Sequence, residues 1–222
     1  MSPHGVFERR AQIRSLGSLP LYFTNQVVVE SSAAIDEQLA ARGVAPVDWD
    51  AVLLSHLDCD HANGLKLVAD AKKILVLKDE LRFAENGSPV NRIRYNADWW
   101  RGTKMQTFDW NGLMGSAGRS YDVFGDGMLV MVNIPGHSKG LCALRITGRT
   151  GGCADGGYAK KSWEQMLLSG IADDRAAHFF EENARVPLKK SLAWIRAQSR
   201  ERNCVACIAN HDFDVKPGAI TL

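Results

Sequence analysis

Four short apolar runs of the chain each end at a residue type that commonly binds metal ions. The runs are typical of β-strands and helix-like stretches separate them, so the sequence predicts a layered α/β fold. Loops that leave strand ends hold the active sites of such folds, because the rigid sheet fixes the side chains there. The residues at the four strand ends are His56, His137, Asp155 and His211.

The local patterns predict individual elements. Serine caps, helix-forming runs and terminal glycines indicate helices, and short apolar runs indicate strands. The predicted helices cover residues 33–41, 65–72 and 187–200, and the predicted strands cover residues 50–55, 74–77, 128–134, 141–146 and 205–209. Residues 86–127 are rich in glycine, asparagine and tryptophan, and they are predicted to form a long irregular loop that serves as a lid or substrate wall.

Length and composition exclude several classes of protein. The chain has 222 residues, of which 45% are hydrophobic and 23% charged, and this suits one globular domain over residues 1–222. A net charge of +2 gives no indication of a nucleic-acid partner. Apolar runs are far shorter than the ~18 residues of a membrane span, and the N-terminus lacks a secretory pattern. We therefore expect a cytoplasmic protein with a small-molecule substrate and no membrane or nucleic-acid partner, while its oligomeric state stays open.

The five cysteines are not predicted to form a disulfide framework, and Cys204 and Cys207 are predicted to be core residues. Their number is odd and no secretory context supports disulfides. Cys204 and Cys207 have C-x-x-C spacing, but no second pair completes a four-ligand site and their surroundings are typical of a buried strand. Cys59 stands between two potential ligands, and this position favours packing or support of the metal ligands over a nucleophilic role.

The segment from His56 to His61 is the densest group of potential ligands. It reads His56-Leu-Asp58-Cys-Asp60-His61 and follows a predicted strand directly. Imidazole and carboxylate groups are the usual ligands of zinc, iron and manganese. An exposed polar loop explains one of these residues but not the whole set, so the segment predicts a metal site.

These residues resemble the metallo-β-lactamase superfamily of metallohydrolases, whose hallmark is H-x-H-x-D-H after a strand. Ile134-Pro-Gly-His137-Ser-Lys-Gly140 resembles the ligand loop P-G-H-[ST]-x-G of that family. Asp155 resembles its bridging aspartate, and Asn210-His211-Asp212 resembles its last histidine ligand. The resemblance implies an αββα four-layer sandwich with the site at one edge of the two sheets.

The resemblance also implies two divalent transition-metal ions, and zinc is the metal that we expect at both positions. The ligands of the first ion are His56, Asp58 and His137. The ligands of the second ion are Asp60, His61 and His211. The residue that bridges both ions is Asp155.

A narrower resemblance connects the chain with the N-acyl-homoserine lactone lactonases of this superfamily. In those enzymes a tyrosine three residues after the bridging aspartate faces the substrate carbonyl, and Tyr158 holds this position here. The implied reaction is the opening of a small lactone or ester by a hydroxide that bridges two metal ions. Such ions lower the pKa of the water that they bind towards ~7, so that hydroxide forms at neutral pH. Tyr158 is the implied oxyanion donor, and Asp60 carries a proton to the leaving alkoxide.

Two features depart from the family pattern. Asp58 stands where the family usually has its second histidine, and a carboxylate there makes the site harder and more negative, which favours iron or manganese. His56, Asp58 and His137 together also have the composition of a non-haem iron triad. The chain begins after the D-x-G turn typical of the family, so we expect the first N-terminal strands to be missing and the first sheet to have an exposed edge.

Three alternatives to the lactonase interpretation stay open. The same site suits a thioester hydrolase of the glyoxalase II type, and carboxylate-for-histidine replacement suits an iron-dependent oxidoreductase or dioxygenase. A non-catalytic relative, disabled at Asp58 or by the missing strands, is the third. Trp99, Trp100 and Trp110 are candidates for an acyl-pocket wall, with core or lid packing as their other interpretation.

Overall fold

A computed structural model describes residues 9–24, 34–87, 89–148, 153–156 and 185–208 of the chain. It divides the chain into two compact units, Met1–Phe108 and Asp109–Leu222. The single domain expected over residues 1–222 stays a prediction. Among the described residues, no helix has the length and apolar character that crossing a bilayer requires.

The first unit combines helices with a small parallel sheet. Its α-helices are α1 (Arg9–Leu16), α2 (Leu19–Thr24), α3 (Ile35–Ala40), α4 (Cys59–Ala62), α5 (Lys78–Asn86) and α6 (Pro89–Arg94). Three 3₁₀ turns lie at Pro46–Asp48, Leu65–Val68 and Ala97–Trp99. Its strands are β1 (Val52–Leu53), β2 (Ile74–Leu77) and β3 (Met105–Phe108), which form a sheet in the order β1-β2-β3.

The parallel sheet of the first unit follows from its sequence. Ile74 pairs with Val52 on one side and with Met105 on the other, both in parallel register. All four residues of β2 are buried, which explains its uninterrupted apolar sequence, because a central parallel strand is covered on both faces. The strands predicted over 50–55 and 74–77 are thus confirmed, the first in a shorter form.

Two tryptophans belong to the hydrophobic core of the first unit. Trp99 is 4% exposed and Trp100 is 6% exposed, and both pack with Leu57, Ile74 and Val76 in one cluster. The indole N–H of Trp99 donates to the Ser15 carbonyl at 2.7 Å. The interpretation of these two residues as core residues is therefore confirmed, and the alternative of an acyl-pocket wall is wrong for both. Trp110 is half-buried.

The second unit contains a five-stranded sheet and one long helix among its described residues. The strands are β4 (Ser120–Asp122), β5 (Leu129–Asn133), β6 (Cys142–Thr147), β7 (Cys153–Gly156) and β8 (Cys204–Cys207), in the order β4-β5-β6-β7-β8. Neighbours from β4 to β7 are antiparallel, and β8 runs parallel to β7. Helix α7 (Arg185–Gln198) contributes Leu192 and Ile195 to a core cluster with Ile134 and Leu141.

Two local predictions differ from the structure. Residues 86–127 contain α6, β3 and β4 instead of one irregular loop. The sequence does not predict strand β3, because two of its four side chains are exposed and it therefore lacks an apolar pattern. Cys204 and Cys207 of β8 are half-buried, and Cys207 packs against the core cluster that contains Leu192 and Ile195.

Candidate metal centre

The segment that carries the predicted ligands passes from β1 into α4. His56 follows shortly after β1, at the carboxyl end of a parallel strand. Asp58 has extended backbone and directly precedes α4, and its side chain makes no cap hydrogen bond to that helix. Asp60 and His61 lie within α4, where the His61 N–H donates to the Asp58 carbonyl at 3.0 Å. The tight turn thus folds four potential ligands back towards one another.

His56, Asp60 and His61 form a group that fits a metal ion. One ligand atom of each residue lies within 4.8 Å of the others, with His56 buried, His61 half-buried and Asp60 exposed. His61 Nε2 is 3.4 Å from Asp60 Oδ2. Two donors with bonds of about 2.1 Å to one tetrahedral ion stand about 3.4 Å apart, and their imidazole and carboxylate chemistry suits zinc, iron or manganese.

Ser55 holds both imidazole rings by their Nδ1 atoms. Its Oγ lies 3.1 Å from His56 Nδ1 and 3.3 Å from His61 Nδ1, and the two ring centroids are 4.0 Å apart. A serine hydroxyl has two acceptor lone pairs, so Ser55 Oγ can accept from an N–H at each Nδ1. With the proton on Nδ1, each ring has its Nε2 lone pair available to a metal, which is the arrangement that outer hydrogen bonds give to metal-binding histidines. No local sequence pattern indicates this role for Ser55.

Arg94 is the principal site residue that sequence reasoning missed. Its Nε donates to Asp58 Oδ1 at 2.6 Å and its Nη2 donates to Asp58 Oδ2 at 2.7 Å, although 36 residues separate the two. Burial of the guanidinium disfavours its charge, but the hydrogen bond and the charge of Asp58 outweigh this, so the pKa of Arg94 lies above its ordinary value. A bidentate pair of this kind fixes the plane of the carboxylate.

Glu80 supports the backbone beside His56. Its side chain lies on α5 and is fully buried, and its Oε1 accepts a hydrogen bond from the N–H of Leu57 at 3.2 Å. Leu57 is itself fully buried. Because buried backbone donors are costly to leave without an acceptor, this contact fixes the path of the segment between His56 and Asp58.

Cys59 is a buried member of the hydrophobic core of the first unit. Burial, followed by the charges of Asp60 and Asp58, raises the pKa of its thiol to about 11. Since the thiolate is the reactive form, this thiol is a poor nucleophile at neutral pH. The structure thus confirms the packing role expected for Cys59.

Known proteins match the part of the chain that contains the segment from His56 to His61. The family model of the metallo-beta-lactamase superfamily matches residues 25–93. The N-acyl homoserine lactonase AttM of Rhizobium radiobacter is 28% identical over 155 residues, which cover 65% of this chain and 55% of that protein. AttM of Azorhizobium caulinodans is 27% identical over 191 residues, which cover 81% of this chain and 64% of that protein. The chain therefore spans less than two thirds of the length of these curated relatives.

Solved structures show the fold. An N-acyl homoserine lactone hydrolase, with the product N-hexanoyl-L-homoserine at its catalytic metal centre, matches with a TM-score of 0.55 over 82% of this chain and 64% of that one, at 17% identity. A variant of B. thuringiensis AiiA with N-decanoyl-L-homoserine at its active site matches equally well. The resemblance to the metallo-β-lactamase superfamily is confirmed. At this identity the structures establish the mixed α/β metallo-β-lactamase fold and leave the activity open.

The second unit of this metallo-β-lactamase-like chain holds the next predicted ligand. His137 is exposed in the loop that joins β5 to β6. That loop is fixed to α7, because Ser191 Oγ donates to the Pro135 carbonyl at 2.8 Å. Gly136 has a φ of +153°, and a Cβ there would lie 2.7 Å from Leu188 Cα, so only glycine fits between the loop and the helix.

The remaining predicted site residues are only partly described. The backbone of Asp155 lies in β7, opposite Arg145 of β6 and Cys207 of β8. The side chain of Asp155 lies outside the described structure, as do Tyr158 and His211 entirely. Their assignments as bridging ligand, oxyanion donor and last histidine ligand therefore stay predictions.

Proposed function

We propose that this chain is a metal-dependent hydrolase that opens a small lactone, with N-acyl homoserine lactones as the substrate class. The observation that carries the proposal is the clustering of His56, Asp60 and His61, whose ligand atoms lie within 4.8 Å of one another and whose two imidazole rings both contact Ser55. The AttM relatives, which are named as N-acyl homoserine lactonases, support the choice of substrate. Since this chain covers only part of their length, its activity must be tested directly.

Different residues of the first unit have different roles in this proposed reaction. A bound transition-metal ion supplies Lewis-acid polarisation of the carbonyl and activates water at neutral pH. His61 and Asp60 would hold one ion, and His56 and Asp58 would contribute to a second. Ser55 contacts the rings of both histidines. Asp60, whose side chain is 40% exposed, is open to water and substrate and transfers a proton to the leaving alkoxide.

The test combines metal analysis with a hydrolysis screen on the purified chain. We expect bound zinc, iron or manganese, and opening of acyl homoserine lactones that stops on chelation and returns when metal is restored. A panel of thioesters run in parallel distinguishes the glyoxalase II-like alternative. A chain that binds metal but opens no lactone would contradict the lactonase proposal, and one that binds no metal would contradict the hydrolase proposal as a whole.

Replacing Ser55 by alanine is expected to weaken metal binding about 10–100-fold, the usual effect of removing an outer partner of metal-binding histidines. Both imidazoles lose their common acceptor at Nδ1 in Ser55→Ala. The dissociation constant of Zn²⁺ is measured by competition with a chromogenic chelator. Ser55→Thr keeps a hydroxyl and is the matched control, with affinity close to that of the unchanged chain. Native affinity in Ser55→Ala would show that the hydroxyl does not orient the rings.

Replacing Tyr158 by phenylalanine is expected to lower the turnover of lactone opening about 10²–10³-fold, the typical cost of losing one oxyanion donor. The change removes only the hydroxyl that we propose as the hydrogen-bond donor to the substrate carbonyl. Steady-state kinetics on one acyl homoserine lactone measure the effect, and the metal content is expected to stay constant. A fall in metal content instead of turnover would exclude the role as oxyanion donor.

A further inference from the structure

The bidentate contact between Arg94 and Asp58 changes the electrostatics of the candidate site. Both oxygens of Asp58 accept from Arg94, at 2.6 and 2.7 Å. The two side chains are largely shielded from water, with 11% of Asp58 and 17% of Arg94 exposed. Solvent screens such a pair much less than an exposed one, so the positive charge acts at close range.

Charge counting shows what Arg94 does at this position. The H-x-H-x-D-H pattern has a neutral imidazole where this chain has the carboxylate of Asp58, which adds one negative charge. The guanidinium of Arg94 stays charged and cancels that charge. The site therefore has the same net charge as a site with a neutral histidine at position 58, and not the more negative charge expected from the sequence.

The contact also sets the direction of Asp58. Asp58 Oδ2 lies 3.5 Å from His56 Nε2, close to the separation of about 3.4 Å between two donors on one tetrahedral ion. A carboxylate oxygen has two lone-pair positions, so Oδ2 can accept from Arg94 Nη2 and still present a lone pair beside His56. The planar fork of the guanidinium holds the carboxylate in this plane, which a flexible cation would not do.

We propose that Arg94 is a positioning residue that makes Asp58 a charge-neutral, oriented substitute for the second histidine of the motif, and that it thereby keeps the site selective for Zn²⁺ over Mn²⁺. The inference rests on the metal site of the proposed function. Without Arg94 the uncompensated carboxylate favours the harder ion, because oxygen-rich, negative sites suit manganese better than zinc.

The test measures dissociation constants of Zn²⁺ and Mn²⁺ for the purified full chain by chelator competition. In Arg94→Met we expect the preference for Zn²⁺ over Mn²⁺ to fall at least about tenfold, from the lost charge and orientation. The control is Arg92→Met on the same helix, whose side chain is exposed, so its preference should stay within about twofold. Equal preferences in the two variants would overturn the proposal while leaving the hydrolase proposal intact.

Two further variants separate positioning from general stability. Arg94→Lys keeps the charge without the fork, so we expect most of the selectivity to return while the Zn²⁺ affinity stays below that of the unchanged chain. Asp58→His leaves Arg94 without its carboxylate, and adding Arg94→Met should raise the melting temperature of the metal-free chain and keep Zn²⁺ preferred. If Arg94→Met does not fold, this pair of variants decides: a double variant whose preference for Zn²⁺ over Mn²⁺ falls below that of Asp58→His would show that Arg94 acts independently of Asp58 and would overturn the proposal.

Discussion

An Asp60→Asn variant is expected to lose at least about 100-fold in lactone hydrolysis, together with a large part of its metal affinity. Removing a residue that hydrogen-bonds to a metal ligand weakens metal affinity about 10–100-fold, so removing a ligand itself is expected to weaken it more. The amide of asparagine has the shape of the carboxylate but lacks its charge, and it cannot take up the proton that Asp60 is proposed to transfer. Lactone kinetics and Zn²⁺ competition measure the two effects on the same preparations.

The exposure of Asp60 makes this variant easy to interpret. Its side chain is 40% exposed, so the substitution leaves no cavity, and we expect the melting temperature of the metal-free chain to change by no more than about 2 °C. Asp70→Asn is the matched control, because it makes the same change at an exposed position of the same unit. If Asp60→Asn keeps the hydrolysis rate and the metal affinity of the unchanged chain, Asp60 is neither a metal ligand nor a proton carrier, whatever the stability of the variant.

The sequence was most informative where one local pattern determines the structure. The uninterrupted apolar run of β2 predicts a central strand, and the structure buries all four of its residues. The segment from His56 to His61 predicts clustered ligands because a tight turn after a strand brings neighbours in sequence together in space. The resemblance to the superfamily rests on the same segment and extends the prediction to ligands far along the chain.

The residues that support the site could not be predicted, because their roles depend on contacts between distant positions. Arg94 lies 36 residues from Asp58, in a stretch whose polar composition indicated an irregular loop. Glu80 lies on a helix in a run of polar residues that suits a solvated face just as well, and only the fold shows that it is buried. Local sequence patterns carry no signal for such pairs, whereas the packing of α5 and α6 in the first unit determines them.

The burial of Glu80 supports the second large prediction. Its side chain is fully buried and accepts from the Leu57 N–H, which lies 23 residues away beside His56. Truncation removes this acceptor, leaves a buried donor without a partner and opens a cavity in the core. Its charge also favours the charged form of Arg94, so the loss extends to the group that holds Asp58.

We expect Glu80→Ala to lower the free energy of unfolding by about 3 kcal/mol, from the lost charge-assisted hydrogen bond and the cavity together. Glu80→Gln keeps the volume and one acceptor oxygen, so it should cost only about 1 kcal/mol, which isolates the contribution of the charge. Glu85→Ala on the same helix is exposed and should change stability by less than about 0.5 kcal/mol. Urea unfolding of the metal-free chain measures all three, since bound metal would add its own stabilisation. Equal stability of Glu80→Ala and Glu85→Ala would mean that the backbone beside His56 does not depend on Glu80.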